Sequence, residues 1–365
     1  MDNPQFKVVV RSPGDVSSTE LAAWIDLEAR ASQANAYLSP LFVMPAIKYL
    51  DPDANIIIVF IKKSGAGISD LHGVGVFRER RASPQFPLPH LIAYKSIHSY
   101  LSGFLIDKDF SAEVLECLFS FIAAKTHHWH GLVSEAEFAL EEQEQVNANE
   151  SGVNWLEFSS SERAILIPNA CDESMLSSLP KKLRKNYKRC LRRLEAIGKT
   201  RWQCLTGDQV DQTVIANFVK LENMGWKGEA GTSLASCPEQ VLFFQEMIRG
   251  FREQNRVFFT ELSVDDEVIS STSNLISGNA GFAFKIGWNV DYAKVSPGVL
   301  NEIGLIKHCA RYFGGLDFID SGAVENSYVD KIWPWRRKVV SGVYTTTKMG
   351  NSIARSMIRL KKLIR

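Results

Sequence analysis

The sequence predicts an α/β (α+β) fold, and three observations lead there. Gly281 to Asp320 reads as strand, connection, helix, strand: Phe282, Phe284 and Ile286 alternate with Ala283 and Lys285, Ser296-Pro297-Gly298 opens a helix, and Leu316, Phe318 and Ile319 form a second strand after Gly314-Gly315. Alternating runs and helical spacings interleave along the rest of the chain, with no long stretch of either alone. A length of 365 residues, 45% hydrophobic and 23% charged, provides for two domains or one large composite core.

In the first half, Phe6–Arg11 is a short strand that ends in a Ser-Pro-Gly-Asp turn, and Ser17-Ser18-Thr19-Glu20 offers N-caps to a helix reaching about Ala34. Pro40 to Tyr49 is a second short helix. Asn55–Lys62 and Gly73–Arg80 form a hairpin with a longer loop. Leu91–Ile106 is extended, and Ser111–Lys125 is a helix with Val114, Leu115, Leu118, Phe119 and Ile122 inward. Thr126–Val133 returns as a strand. Glu135–Glu150 holds six acidic residues and no basic one, which reads as a solvated helix face or an acidic partner surface. Trp155–Phe158 and Ala164–Pro168 form another hairpin.

Lys181–Arg201 is the densest charge feature, with ten basic residues against one acidic. Leu183, Tyr187, Leu191, Leu194 and Ile197 recur every three or four positions, so the segment is an amphipathic helix with a basic face, closed by Gly198. That face attracts the phosphates of coenzyme A, a nucleotide-linked sugar, tRNA or anionic lipid, or else is a solvated linker helix. Arg201–Leu205 is a strand, Asp208–Asn223 a helix, and Pro238–Arg252 an aromatic-rich helix. Val257–Val264 and Glu267–Ile276 flank Asp265-Asp266 as a hairpin. After the central unit, Lys338–Thr346 is the last strand and Lys348–Arg365 a basic helix without acids.

Several classes are excluded. Lys plus Arg is 42 and Asp plus Glu 41, so net charge neither favours nor excludes nucleic acid. The six cysteines show no C-x-x-C pair and read as reduced thiols. The N-terminus lacks a signal-peptide pattern and no run approaches 18 apolar residues, so a cytoplasmic chain without a membrane span is expected. His127-His128-Trp129-His130 has no accompanying Cys or acid cluster, so no metal is expected. The motifs of P-loop NTPases, zincins and nucleophile-elbow esterases are absent.

A strand–turn–helix unit leaves free N–H groups at the helix start, and such an end takes a phosphate or pyrophosphate. The same stretch carries a resemblance. F-K-I-G-W, then D-Y-A-K-V-S-P-G-V-L, then G-L-D-F-I-D-S-G, together with N-M-G-W-K-G-E-A-G at 223–231, resemble the CelD-type, Fem-related branch of the GNAT acyltransferase superfamily. The resemblance covers roughly 150–346 well and 1–150 weakly. It implies two tandem GNAT-like acyl-CoA N-acyltransferase folds, mixed sheets with helices on both faces, the first copy (1–150) degenerate. The catalytic copy would be 151–365, entered through the basic helix 180–198. It also implies that two parallel strands, about 281–288 and 315–320, splay apart around acyl-CoA as co-substrate. One departure is plain: the superfamily signature Q/R-x-x-G-x-G/A is reduced here to Gly298 behind a proline.

On this reading Ile286, Gly287, Trp288, Lys294, Ser296, Gly298, Val299 and Leu300 hold the cofactor. Transfer from a thioester to an amine needs a neutral amine, a hydrogen-bonded oxyanion and a proton for the leaving thiolate. Backbone amides near Ile286–Trp288 serve the oxyanion. Asp320 and Glu222 are the base candidates, although Asp320 equally suits capping Gly322 or pairing with a lysine. Tyr328 and Tyr292 are acids toward the thiolate or structural. Lys285 faces away from Phe284 and Ile286 and contacts ligand or acceptor. Trp226, in a glycine-rich segment with Lys227, touches substrate or anchors the loop, and Lys331 matches a lysine that recurs in the family before a tryptophan. The implied function is transfer of an acyl group, acetyl foremost, from acyl-CoA to an amine of a small or envelope-polysaccharide acceptor. Two rivals stand beside it: a Fem-like aminoacyl-tRNA-dependent transferase, and a non-catalytic binding or scaffold protein.

Overall fold

The computed structural model describes residues 5–65, 70–139, 153–171 and 175–364, with backbone alone for Ser178, Trp226 and residues 361–364. The chain forms two compact units. One comprises the residues up to 47, then 51–162 and 338–365; the other comprises 48–50 and 163–337.

The elements of the first unit begin with β1 (Phe6–Arg11), α1 (Ser18–Arg30), α2 (Pro40–Leu50), β2 (Ile56–Lys63), β3 (Leu71–Arg80), β4 (His90–Ala93), β5 (Phe104–Ile106), α3 (Ser111–Ala123), β6 (Gly131–Phe138) and β7 (Asn154–Leu166). Ser17 and Glu20 form a reciprocal capping box that starts α1, as their spacing requires. All five apolar residues expected to point inward from α3 are buried, packed with Val59, Phe77 and Leu132 of the strands. β4 and β6 run parallel, Leu91 opposite Leu132, with α3 as the crossover between them.

Three expectations need correction. Leu91–Ile106 is not one extended segment, because only its two ends pair into strands; buried Ser96, Ser99 and Ser102 bond among themselves and to their surroundings in between. Trp155–Pro168 is not a hairpin: β7 runs unbroken through Ser159–Arg163, whose polar side chains look like a turn but lie along a paired strand. Thr126–Val133 starts its strand only at Gly131, and that strand continues through Glu135 to Phe138. The acidic run therefore begins as strand rather than helix, and its residues 140–150 lie outside the described residues.

The second unit continues with α4 (Met175–Ser178), α5 (Lys181–Glu195), β8 (Thr200–Thr206), α6 (Gln212–Glu222), α7 (Trp226–Glu229), α8 (Pro238–Glu253), β9 (Val257–Val264), β10 (Glu267–Ser277), β11 (Ala280–Trp288), α9 (Pro297–Phe313) and β12 (Phe318–Asp320). Its sheet order is β12-β11-β10-β9-β8, and the last residues of β7 pair antiparallel with β12. Helices cover both faces, which adjacent residues of β9 make explicit. Phe258 meets Phe313 of α9 at 4.1 Å between ring centres, whereas Phe259 meets Phe218 of α6 at 5.5 Å. α5 lies on the α9 face through Cys190 and Leu194, which pack with Leu262 and Leu300.

β13 (Trp335–Thr345) and α10 (Lys348–Ile364) close the chain. From Lys338 on they belong to the first unit, where β13 pairs antiparallel with β6. No helix among the described residues is long and apolar enough to cross a membrane.

Candidate functional site

The second unit opens where β11 and β12 part. The two strands pair in parallel only at Ala280–Phe282 against Phe318–Asp320. β12 then stops, while β11 continues six residues to Trp288 with no strand beside it on that side among the described residues. A strand edge left open inside a sheet presents backbone donors and acceptors to whatever fills the gap.

The end of β11 is shaped by a bulge. Ser273 of β10 pairs with Lys285 and Asn274 with Ala283, so Phe284 is the extra residue. Period-2 alternation would send Lys285 away from Phe284; the bulge instead brings both toward the α6–α8 face and separates Lys285 from Ile286. Phe284 stacks on Phe244 of α8, and Lys285 Nζ stands 3.7 Å from Glu222 Oε1 at the end of α6. Lys227 Nζ reaches the same oxygen at 3.4 Å and donates to the Ile286 carbonyl at 2.7 Å. Glu222 is 1% exposed, and its Oε2 accepts the Leu234 N–H at 2.8 Å. Two lysines thus share one buried carboxylate beside the open edge. Burial lowers the pKa of Lys285; the Glu222 charge opposes that shift and the Lys227 charge adds to it. Gly287 permits the close approach of α6, because a Cβ there would lie 2.4 Å from the Glu222 nitrogen.

The helix start faces the same strand end. Ser296 adopts a left-handed conformation (φ 51°, ψ 59°) and its side chain does not cap α9. Pro297 occupies the first turn, and the N–H groups of Gly298 and Val299 have no acceptor among the described residues. A Cβ on Gly298 would come 3.2 Å from Ile286 Cδ1 and 3.6 Å from the Trp288 ring, so the free helix end borders the half-buried Ile286 and Trp288. Leu300 is buried beneath the helix in the core with Cys190 and Leu262. Lys294 is exposed on the turn before it.

At the end of β12, Asp320 is fully buried. Its Oδ1 accepts the Gly322 N–H at 2.8 Å and faces Arg163 Nη1 at 3.4 Å; its Oδ2 has no hydrogen-bond partner among the described residues. Burial raises its pKa, opposed by Arg163 and the Gly322 amide. The partner is an arginine contributed by β7, not a lysine. Glu302 of α9 is a further carboxyl buried in this unit. Trp333 Nε1 donates to its Oε2 at 3.1 Å, and burial pushes its pKa up from 4.5 to about 7. Tyr328 is 43% exposed overall, while burial around its phenol and the charge of Glu302 both raise the phenol above its usual range.

The structure therefore brings Glu222, Lys227, Lys285, Ile286 and Gly287 together, and sets Trp288, Ser296, Gly298 and Val299 beside them. Asp320 lies on the neighbouring strand end, and Tyr328 answers to Glu302. Tyr292 stands apart, its hydroxyl donating to Glu267 Oε2 at 2.9 Å, and Lys331 is exposed, its ammonium without a polar partner among the described residues. Trp226 opens α7, and its side chain lies outside the description. Glu302 is not among the residues singled out from the sequence; its signal is a lone acid, next to Asn301, inside the otherwise apolar stretch Val299–Ile306. Near the expected non-metal histidines, His127 stacks on Trp129 and His130 contacts Thr347.

Comparison with known proteins agrees with this architecture. Residues 181–328 match the family model described as an acetyltransferase (GNAT) domain. No curated protein matches the chain. Among solved structures, FemX superposes with a TM-score of 0.55 at 9% identity, covering 92% of this chain and 96% of its own. The C-terminal domain of a putative lysylphosphatidylglycerol synthetase from Agrobacterium fabrum gives 0.55 at 11% identity, covering 96% and 98%. L-PGS from Bacillus licheniformis gives 0.52 at 14% identity, covering 96% and 97%. At these identities the likeness is one of fold. Residues 181–328 thus resemble a GNAT acetyltransferase domain within a mixed α/β chain.

Proposed function

We propose that the second unit transfers an acyl group, acetyl foremost, from acyl-CoA to an amine. The observation that supports this best is the parting of β11 and β12 next to the uncapped start of α9. An extended thioester arm can lie along the open edge of β11, and its pyrophosphate can take the Gly298 and Val299 N–H groups. Lys285 and Glu222 are the proton-handling pair: a buried lysine with lowered pKa reaches its neutral form more readily and can take the proton that the acceptor ammonium must lose. Asp320 holds its own loop through Gly322 and Arg163, so its role in this reading is to fix the strand end. The resemblance to CelD-type proteins points to an amine of an envelope-polysaccharide precursor as acceptor.

Calorimetric titration of the purified chain with acetyl-CoA and a longer acyl-CoA tests this. Binding is expected, and Gly298→Glu should abolish it, while Gly298→Ala, whose methyl meets the flexible end of Ile286 and the Trp288 ring at ordinary contact distance, should keep most of it. Absence of binding to both thioesters would reject acyl-CoA as donor. The Fem-like aminoacyl-tRNA alternative, which the basic helix at 181–201 motivates, would then be tested by transfer of radiolabelled aminoacyl groups.

A further inference from the structure

α5 turns a dense, unneutralised cationic face outward. Lys182, Lys185, Lys188, Arg189, Arg192 and Arg193 are all exposed. At 100° per residue they span an arc of about 140°, and along the axis about 16 Å. The opposite side of the helix is committed to the protein: Cys190 and Leu194 are buried, and Leu183 and Tyr187 pack against the core. Among the described residues none of the six forms an ion pair, and their one polar side-chain contact is Arg189 Nη2 to Asn186 Oδ1. Six like charges held on a rigid helix repel one another, which a domain tolerates at a cost unless an anionic surface is brought to them.

We propose that α5 docks the chain electrostatically on an anionic phospholipid surface. Two features favour a lipid surface over RNA. The face carries no exposed aromatic ring on which a base could stack; Tyr187 is turned inward, with Lys307 Nζ 5.5 Å from its ring centre. Where the stripe ends, Ile197 is 56% exposed, an apolar side chain suited to the headgroup region. Each basic residue close to an anionic leaflet adds to binding, and the additions are screened by salt. Docking of this kind is peripheral and reversible. It goes beyond acyl transfer, since it would hold with or without bound thioester.

Co-sedimentation of the full chain with vesicles tests it. The protein should pellet with phosphatidylcholine vesicles that contain phosphatidylglycerol and not with pure phosphatidylcholine, and raised salt should release it. The combined variant Lys182→Glu, Lys185→Glu, Arg189→Glu and Arg192→Glu should bind the anionic vesicles at least about 100-fold more weakly. Because all four side chains are exposed, its thermal unfolding should match the parent. Failure of the unmodified chain to bind anionic vesicles at low salt would overturn the proposal. So would equal binding to both vesicle types, or transfer RNA displacing the protein from the vesicles through the same four residues.

Discussion

A carboxyl sealed between a helix and a loop costs stability according to how far its proton affinity must rise. Glu302 makes this measurable. Its pKa lies at 4.5 ordinarily and at about 7 in the fold, raised by burial and only partly offset by the Trp333 hydrogen bond. The native state therefore keeps the proton over a window in which the unfolded chain has lost it. Stability is unaffected below the lower value, falls as pH rises from about 4.5 to 7, and stays reduced above. Glu302→Gln retains an oxygen for Trp333 Nε1 and carries no charge. Near pH 8 it should be more stable than the parent by about 3 kcal/mol, and near pH 4 by almost nothing. Urea unfolding at the two pH values decides: a difference that does not depend on pH would mean that Glu302 is solvated in the native state.

At the scale of elements, the sequence is most informative where a pattern is local. The β9–β10 hairpin follows from two apolar runs around Asp265-Asp266, and α3 from its five spaced apolar residues. The site is less legible because its geometry comes from a departure from periodicity. Nothing in F-A-F-K-I shows that Phe284 is the extra residue of a bulge, so the direction of Lys285 cannot be read by counting. The meeting of Glu222 with Lys285 depends on α6 touching β11 at Gly287, a contact 65 residues apart in the chain. The hairpin turn offers its own check. Asp265 and Asp266 both have positive φ (46° and 69°), as a type I′ turn demands. Asp265 is occupied by the Lys199 N–H at 2.7 Å, but Asp266 is exposed and no such bond holds it among the described residues. Asp266→Gly should raise stability by about 0.5–1 kcal/mol by removing the left-handed penalty. A lower melting temperature in differential scanning calorimetry would show that the side chain has a role beyond the turn.

Across the whole molecule, the ends of the chain meet in one unit. The alternation in Lys338–Thr346 announces a strand, but a strand's partner is a matter of which edge is vacant, and sequence order alone puts 338–365 with the unit that precedes it. In the structure β13 lies against β6, Tyr344 donates to Glu137 Oε1 at 2.6 Å, and Val343 and Ala354 pack with Phe86 and Val133. Tyr344 also packs against Phe104, Phe119 and Trp155. Removing 338–365 would therefore expose the β6 edge and leave the Glu137 carboxylate short of a donor in a buried position, while every residue of the β8–β12 sheet is retained. The shortened chain should lose hydrogen-exchange protection in β2, β3 and β6 and keep it in β9, β10 and β11. Uniform loss of protection in both sets would mean that the two units fold as a single cooperative block, and that the last strand stabilises the second unit as much as the unit it belongs to.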